Sequence, residues 1–310
     1  MNFNHLSAMS RALRWASLGE DPWGATGLGE TATPTQRKII YDDHREILLS
    51  GGKGAAKSMA GAGRVMKVIA GEPGHRALAV RKSGNDLMAS TVESLAFLIA
   101  RIAEPEIEEK DVTADTLKIL PDDLVQWKNR PILHLYFPLS NSRLYLRHLE
   151  DSESLGSHQR GVIWIDEASE VKQSAYKEAT KRIRLKGCTQ QVIATTNPPM
   201  VGDHWLLEEF PIGDCEDDFI ELSPEKCVYQ VSTRENAHNL TPAHWAHLES
   251  LPEQERRWVL EGRLSAVFGM GPRIFPQFAR KIHVADALSP YEGRPILRGW
   301  DVGPLCKHLS

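Results

Sequence analysis

Apolar residues along this chain come in short runs that alternate with longer amphipathic stretches. Glu46-Ile47-Leu48-Leu49-Ser50 has the composition of a buried strand. Lys57 to Ile69, stopped by Gly71 and Pro73, has the periodicity of a helix. Arg76 to Val80 predicts a second strand, and Asn85 to Ile102 a long helix ending near Pro105. Strand, helix, strand, helix in this order predicts a parallel sheet covered by helices. Residues 106–130 are acidic and show no period. Ile132 to Phe137 and Arg143 to His148, separated by turn residues 138–142, predict a hairpin-like pair. Gly161 to Ile165 is a strand, Gln173 to Ile183 a helix and Gln190 to Thr195 another strand. Beyond Pro198-Pro199 the pattern changes; Thr241-Pro242 opens a helical stretch that Gly262 closes, a small helical subdomain after the sheet. The first 30 residues hold a short amphipathic pattern (Leu6, Met9, Leu13, Ala16) and a Gly-rich run from Gly24 to Gly29, read as a flexible arm.

Composition narrows the class without naming it. With 310 residues, 41% hydrophobic and 25% charged, the chain has the make-up of a globular protein. No segment approaches the roughly 18–20 uninterrupted apolar residues of a membrane span. Arg11, Arg14, Glu20 and Asp21 break any secretory signal pattern, so a cytosolic protein is expected. Cys188, Cys215, Cys227 and Cys306 have neither pairing nor zinc-ligand spacing. The net charge of -4 lacks the basic excess of a nucleic-acid coat. A motor that grips and releases phosphates can still localise a few cations on one surface.

Three segments carry chemistry. Gly51-Gly52-Lys53-Gly54-Ala55-Ala56-Lys57-Ser58 lies between a strand and a helix, where backbone N–H groups and a helix N-terminus cradle phosphate. It follows the GxxxxGK[ST] pattern except that Ala56 stands where glycine is expected. Lys57 would reach the β- and γ-phosphates of ATP, and Ser58 would hold Mg²⁺. Gly161 to Ser169 is an apolar strand that delivers Asp166 and Glu167 at its C-terminal end. Asp166 would share the Mg²⁺, and Glu167 would polarise the attacking water. Val192 to Pro199 is a further strand, tipped by Thr195, Thr196 and Asn197, able to sense loss of the γ-phosphate or simply to open a turn. The fold expected is a P-loop NTPase: α/β, with a mainly parallel RecA-like sheet flanked by helices and a small, mainly helical lid.

The order and wording of these motifs, from about residue 31 to 301, resemble the large subunit of tailed-bacteriophage terminases, in the ATPase part that precedes the nuclease. Lys53 matches the basic residue at the third position of that family's phosphate loop. Pro34-Thr35-Gln36 matches its adenine-contacting segment, with Gln36 at the glutamine position. Arg81-Lys82 resembles the next motif, Ile165-Asp166-Glu167-Ala168 the metal-and-base strand, and Thr195-Thr196-Asn197-Pro198 the coupling motif. Thr233 to Asn236 and Leu260 to Leu264 look like the phrases that close the lid. Arg298-Gly299-Trp300-Asp301 resembles the first strand of a ribonuclease-H-like nuclease, where Asp301 matches the first metal-binding acid.

The resemblance implies an ATP-driven motor in the host cytoplasm, packaging double-stranded DNA into a procapsid. It also implies a homo-oligomeric ring, a portal protein and a small terminase subunit as partners. It divides the chain into an arm (1–30), a P-loop ATPase core (31–200), a lid (201–265), a linker (266–293) and an incomplete nuclease (294–310), from which no DNA cleavage is expected. Phosphoryl transfer also needs a cation on the leaving charge. Lys53 in cis is one candidate, and Arg143, Arg147 or Arg160 donated by a neighbouring subunit is another, each equally readable as a surface arginine. A helicase-like ATPase and a non-catalytic assembly protein with a degenerate P-loop are the competing readings.

Overall fold

The computed structural model describes residues 3, 6–149, 158–199, 204–212, 215 and 217–263. Residues 264–310, with the expected linker, Asp301 and Cys306 among them, lie outside the described residues.

The predicted alternation forms one nine-stranded sheet in the order β3-β4-β5-β2-β6-β7-β1-β9-β8. The strands are β1 (Glu46–Gly51), β2 (Arg76–Arg81), β3 (Gln126–Lys128), β4 (His134–Phe137), β5 (Ser142–His148), β6 (Val162–Asp166), β7 (Gln191–Thr196), β8 (Phe219–Ser223) and β9 (Lys226–Val231). From β5 to β9 along this order every neighbour runs parallel. The two edges, β3-β4 and β8, are antiparallel. Near-continuous apolar composition suits central parallel strands because both faces are covered. β6 and β7 are buried at every position.

One face of the sheet packs on α1 (Ala8–Glu20), α4 (Lys57–Gly71) and α6 (Glu93–Ala103). The other packs on α7 (Gln173–Arg182) and α8 (Trp205–Glu209). No described helix is long and apolar enough to cross a membrane.

The long helix expected at 85–102 is interrupted. It starts as α5 (Gly84–Asp86), passes through a π-helical segment at Leu87–Val92 and continues as α6. A π turn inserts one residue into the 3.6-residue register, so side chains after it are re-aimed.

Two expectations need correction. The N-terminal arm is a packed part of the core: α1 lies so close to α4 that a Cβ on Gly19 would sit 2.6 Å from Gly71 Cα. The buried face of α1 is Arg11, Trp15 and Leu18, whereas Met9 and Leu13 are 73% and 64% exposed. The expected apolar stripe therefore faces outward. Arg11 can be buried because Asp123 accepts from both its Nε and Nη2, at 3.1 and 2.9 Å. The Gly-rich run is pinned beside α2 (Pro22–Ala25) by Trp23, whose buried indole donates to Gln36 O at 3.1 Å.

The second correction concerns the lid. Residues 219–231, grouped above with the helical subdomain, are β8 and β9, and β9 pairs along all of β1. Apart from α8, which packs on the sheet, the helices follow them, with a 3-10 turn at Thr233–Asn239, then α9 (Pro242–Ser250), α10 (Glu253–Arg256) and a π turn at Arg257–Glu261.

Candidate active site

The C-terminal ends of β1, β6 and β7 meet with β7 between the other two, so all three chemistry-bearing segments arrive at one rim. The loop after β1 enters α4 through Ala56, which takes a left-handed conformation (φ 56°, ψ 34°). Glycine reaches that region without strain, which is why the motif asks for it there. Alanine reaches it at a cost of about 1–2 kcal/mol, so the substitution strains the loop without changing its path. Gly54, also left-handed at φ 79°, completes the curl. The N-terminus of α4 has no side-chain cap, leaving its backbone N–H groups as donors toward the loop's interior.

The lid is built against this loop. A Cβ on Gly52 would lie 2.2 Å from Val259 O and 2.3 Å from Thr233 Oγ1. Thr233 Oγ1 donates to Lys53 O at 2.9 Å, and Asn236 Nδ2 to Gly54 O at 2.7 Å. The Lys53 ammonium lies 5.5 Å from the Trp258 ring centroid, and the Trp258 indole donates to Pro198 O at 3.0 Å. Lys53 thus reaches toward Trp258, which in turn holds the loop after β7 at Pro198.

Lys57 is buried, and its Nζ donates to Gly52 O at 2.7 Å and to Asn197 Oδ1 at 3.0 Å. Burial pulls its ammonium down to about 8, against the opposing pull of Glu167 and Asp166. Ser58 Oγ donates to Asp166 Oδ1 at 3.0 Å.

Asp166 is 1% exposed and fully committed. Its Oδ1 also accepts from Thr195 Oγ1 at 2.7 Å; its Oδ2 accepts from Thr91 Oγ1 at 2.6 Å and Arg81 Nη1 at 3.3 Å. A buried carboxylate needs such partners, because an unpaired one is too costly to keep. Trp164, buried within β6, donates its Nε1 to Thr195 Oγ1 at 2.8 Å and so fixes which way that hydroxyl points.

Glu167 differs from its neighbour. It is one of three non-glycine residues with positive φ among the described residues, at φ 49°, a strained conformation of the kind found at functional sites. Its carboxylate accepts from Asn197 Nδ2 at 3.4 and 3.3 Å. Burial raises its pKa above the usual glutamate value, and the nearby Asp166 charge adds to this, while Lys57, Arg81 and Asn197 oppose it. A carboxylate with a raised pKa and loose hydrogen bonds is suited to accept a proton from water.

The structure therefore brings together Gly51 to Ser58, Asp166, Glu167, Thr195 and Asn197. Thr196 stands one step away, where its Oγ1 accepts from Ser169 N at 3.1 Å and braces the turn after the carboxylates. Gln36 is buried; its Nε2 donates to Ala56 O at 3.2 Å and its Oε1 accepts from Thr33 N at 2.8 Å. Its amide is thus spent on bracing the phosphate loop. Arg143 is the second residue of β5 and Arg160 lies two residues before β6, both at the rim opposite this chain's own site, and Arg160 is 3% exposed. Arg147, paired in register with Val80 one step before Arg81, lies toward the site's rim.

Sequence reasoning missed Thr91 and Trp258, and it assigned Thr233 and Asn236 to the lid without foreseeing their bonds to Lys53 O and Gly54 O. The approach of Thr91 depends on the π turn, which has no signature in a helical pattern.

The donor chemistry fits a nucleotide with a divalent metal. A glycine-lined curl, an uncapped helix N-terminus and a buried lysine suit phosphate, and a serine hydroxyl beside an aspartate oxygen suits Mg²⁺.

Residues 125–262 match the family model described as phage terminase large subunit. The PBSX phage terminase large subunit of Bacillus subtilis (strain 168) is 30% identical over 155 residues, covering 45% of this chain and 34% of that protein. The chain thus spans about a third of this relative's length. The large terminase of a thermophilic bacteriophage, solved in complex with ADP, matches with a TM-score of 0.52 at 14% identity, over 76% of this chain and 54% of that one. The large terminase ATPase domain of Thermus phage P74-26 gives 0.53 at 13%, over 77% and 97%. At such identities the solved structures speak for the fold. The resemblance drawn from the motifs is borne out, and so is the expected fold class.

Proposed function

We propose that this relative of the phage terminase large subunits is an ATP-hydrolysing motor that translocates double-stranded DNA into a procapsid. The observation that carries the reading is the hydrogen-bonded chain that joins Lys57 to Asn197 and Asn197 to Glu167, beside the Ser58–Asp166 pair.

The loop from Gly51 to Ala56 and the start of α4 hold the phosphates, and Lys57 exchanges Gly52 O for a phosphate oxygen. That exchange favours the charged ammonium, reversing the effect of burial. Ser58 and Asp166 are the residues that would hold Mg²⁺, which would supply positive charge to the phosphates when bound. Thr91, Arg81 and Thr195 keep Asp166 in place for that task. Glu167 orients water and takes its proton. Asn197 contacts both Lys57 and Glu167, so loss of the terminal phosphate changes its hydrogen bonds. Pro198, next in the chain, passes the change through Trp258 to the lid. Lys53 lies on the same route, and one of Arg143, Arg147 and Arg160 would serve a neighbouring subunit in a ring. A portal protein and a small terminase subunit are the partners that the relatives' role implies.

ATP turnover by the purified chain with and without duplex DNA tests the reading. Mg²⁺-dependent hydrolysis that duplex DNA stimulates is expected. Strand separation, or no hydrolysis under any condition, would contradict it.

A further inference from the structure

Four arginines stand side by side at the rim of the sheet opposite the phosphate loop. Arg76 is the first residue of β2 and Arg143 the second of β5, and the two are direct register partners. Gly161 N donates to Arg76 O at 3.0 Å, which brings Arg160 alongside, and Arg184 N donates to Arg160 O, also at 3.0 Å. Arg143, Arg76, Arg160 and Arg184 therefore sit on four adjacent chain segments. At about 4.8 Å per neighbouring strand, the row spans roughly 14 Å. Arg76 and Arg184 are exposed, Arg143 is half-buried and Arg160 is buried.

Among the described residues no carboxylate pairs with any of the four. The chain has 41 acidic residues against 37 basic ones, so acids are not scarce, yet none of the described ones pairs with this row. Among the described residues Arg160 Nε is buried without a hydrogen-bond partner, its Nη1 donates to Gln159 O at 3.3 Å, and its guanidinium lies over the Tyr145 ring at 4.1 Å. Burial depresses Arg160 to about 10, and the like charges of Arg76 and Arg147 add to the effect. A concentration of guanidiniums held together against their own repulsion calls for an anion from outside.

We infer that this row binds the phosphate backbone of duplex DNA, an inference that rests on the motor reading above. Arginine forks match phosphate oxygens, and 14 Å corresponds to about four base-pair steps of 3.4 Å. The tyrosines decide between duplex and single strand. Single-strand sites offer aromatic faces to unstacked bases. Here Tyr145 already carries Arg160 on its ring and stacks with His134, and Tyr136 carries Arg143 at 5.1 Å. The rings orient cations, so the row meets backbone. It is also separated from this chain's own phosphate loop by the length of a six-residue strand, roughly 17–20 Å, and Arg76 and Arg184 are not among the trans candidates.

The test is fluorescence anisotropy with a labelled random-sequence duplex at stepped salt, using the full chain and the double variant Arg76→Glu/Arg184→Glu. Both positions are exposed, so the fold is retained; circular dichroism checks this, and Arg76→Lys/Arg184→Lys serves as the conservative pair. Duplex affinity should fall by about tenfold or more, and the slope of log affinity against log salt by about 2. ATP turnover without DNA should stay unchanged, while its stimulation by DNA is lost. The lysine pair should keep most of the affinity. Unchanged duplex affinity in the glutamate variant would overturn the inference. So would displacement of the duplex by polyglutamate as effective as that by unlabelled duplex, which would mark a surface for an acidic protein. If the unaltered chain hydrolyses ATP but does not bind duplex, the inference falls and the ATPase reading stands. Duplex binding through these arginines by a chain without ATP turnover would leave the inference and remove the motor.

Discussion

The two rims of the sheet handle charge in opposite ways. At the C-terminal rim, Lys57, Asp166, Glu167 and Arg81 balance one another, with Ser58, Thr91, Thr195 and Asn197 supplying hydrogen bonds from separate elements. At the N-terminal rim one cluster is balanced, because Glu72 accepts from Thr189 N at 2.8 Å and pairs with His75 at 3.2 Å. Beside it stands the arginine row with no carboxylate among the described residues. The contrast separates two tasks. A compact anion and its metal need charges held to a fraction of an ångström, which internal pairing provides. An extended anion needs only like charges at repeat spacing, and internal pairing would cancel them.

The contrast can be broken most strongly at Asp166. Asp166→Asn should lower ATP turnover by at least about 100-fold, the range seen when a positioned charge at a reacting centre is lost, with duplex affinity at the far rim unchanged. A coupled assay and the same anisotropy titration check both halves. Next comes Thr91, whose 2.6 Å bond restrains Asp166. A hydrogen bond to a charged group contributes about 1.5–3 kcal/mol, so Thr91→Val should cost about tenfold in turnover and raise the Mg²⁺ concentration for half-activity. Thr91→Ser should restore both. A purely structural role would lower stability in Thr91→Val without moving the Mg²⁺ midpoint.

At the other rim, Glu72 sharpens the comparison through pH. Burial alone would raise its carboxyl, but hydrogen bonds from His75 and Thr189 outweigh that and hold it at about 2. Because the folded value lies below the ordinary 4.5, the stabilisation is complete above 4.5 and lost as pH falls toward 2. Thermal melts of the unaltered chain and Glu72→Gln should differ most at neutral pH and converge below about 4.5. A constant gap across that window would contradict the assignment. The smallest effect belongs to Ala56→Gly. Glycine removes a left-handed penalty of about 1–2 kcal/mol but adds flexibility to the unfolded chain, so a slightly raised melting temperature and nearly unchanged turnover are expected.

The C-terminal rim was largely legible in the sequence because its strands are short, buried and flanked by turn residues. Glu46–Gly51, Val162–Asp166 and Gln191–Thr196 begin and end within one residue of the boundaries read from composition alone. Asp166, Glu167 and Thr195 follow from those boundaries, since strand ends in a parallel sheet converge. What escaped was set by tertiary packing. Thr91 reaches Asp166 only because a π turn rotates it inward. Residues 226–231 have strand composition, yet joining β1 is a long-range pairing that no local period announces. The N-terminal pattern misled because Arg11 is buried through Asp123, so the polar residue faces in and Met9 and Leu13 face out.

The division of labour between Lys57 and Glu167 is the centre of the account, and nucleotide binding measured alongside turnover in two variants tests it most directly. Lys57→Ala should lose both affinity for Mg-ATP and hydrolysis. Glu167→Ala should bind Mg-ATP about as well as the unaltered chain while turning it over about 10²–10⁴-fold more slowly, the range for a lost general base. Hydrolysis by Glu167→Ala at the rate of the unaltered chain, or loss of nucleotide binding in that variant with its fold intact, would contradict the account.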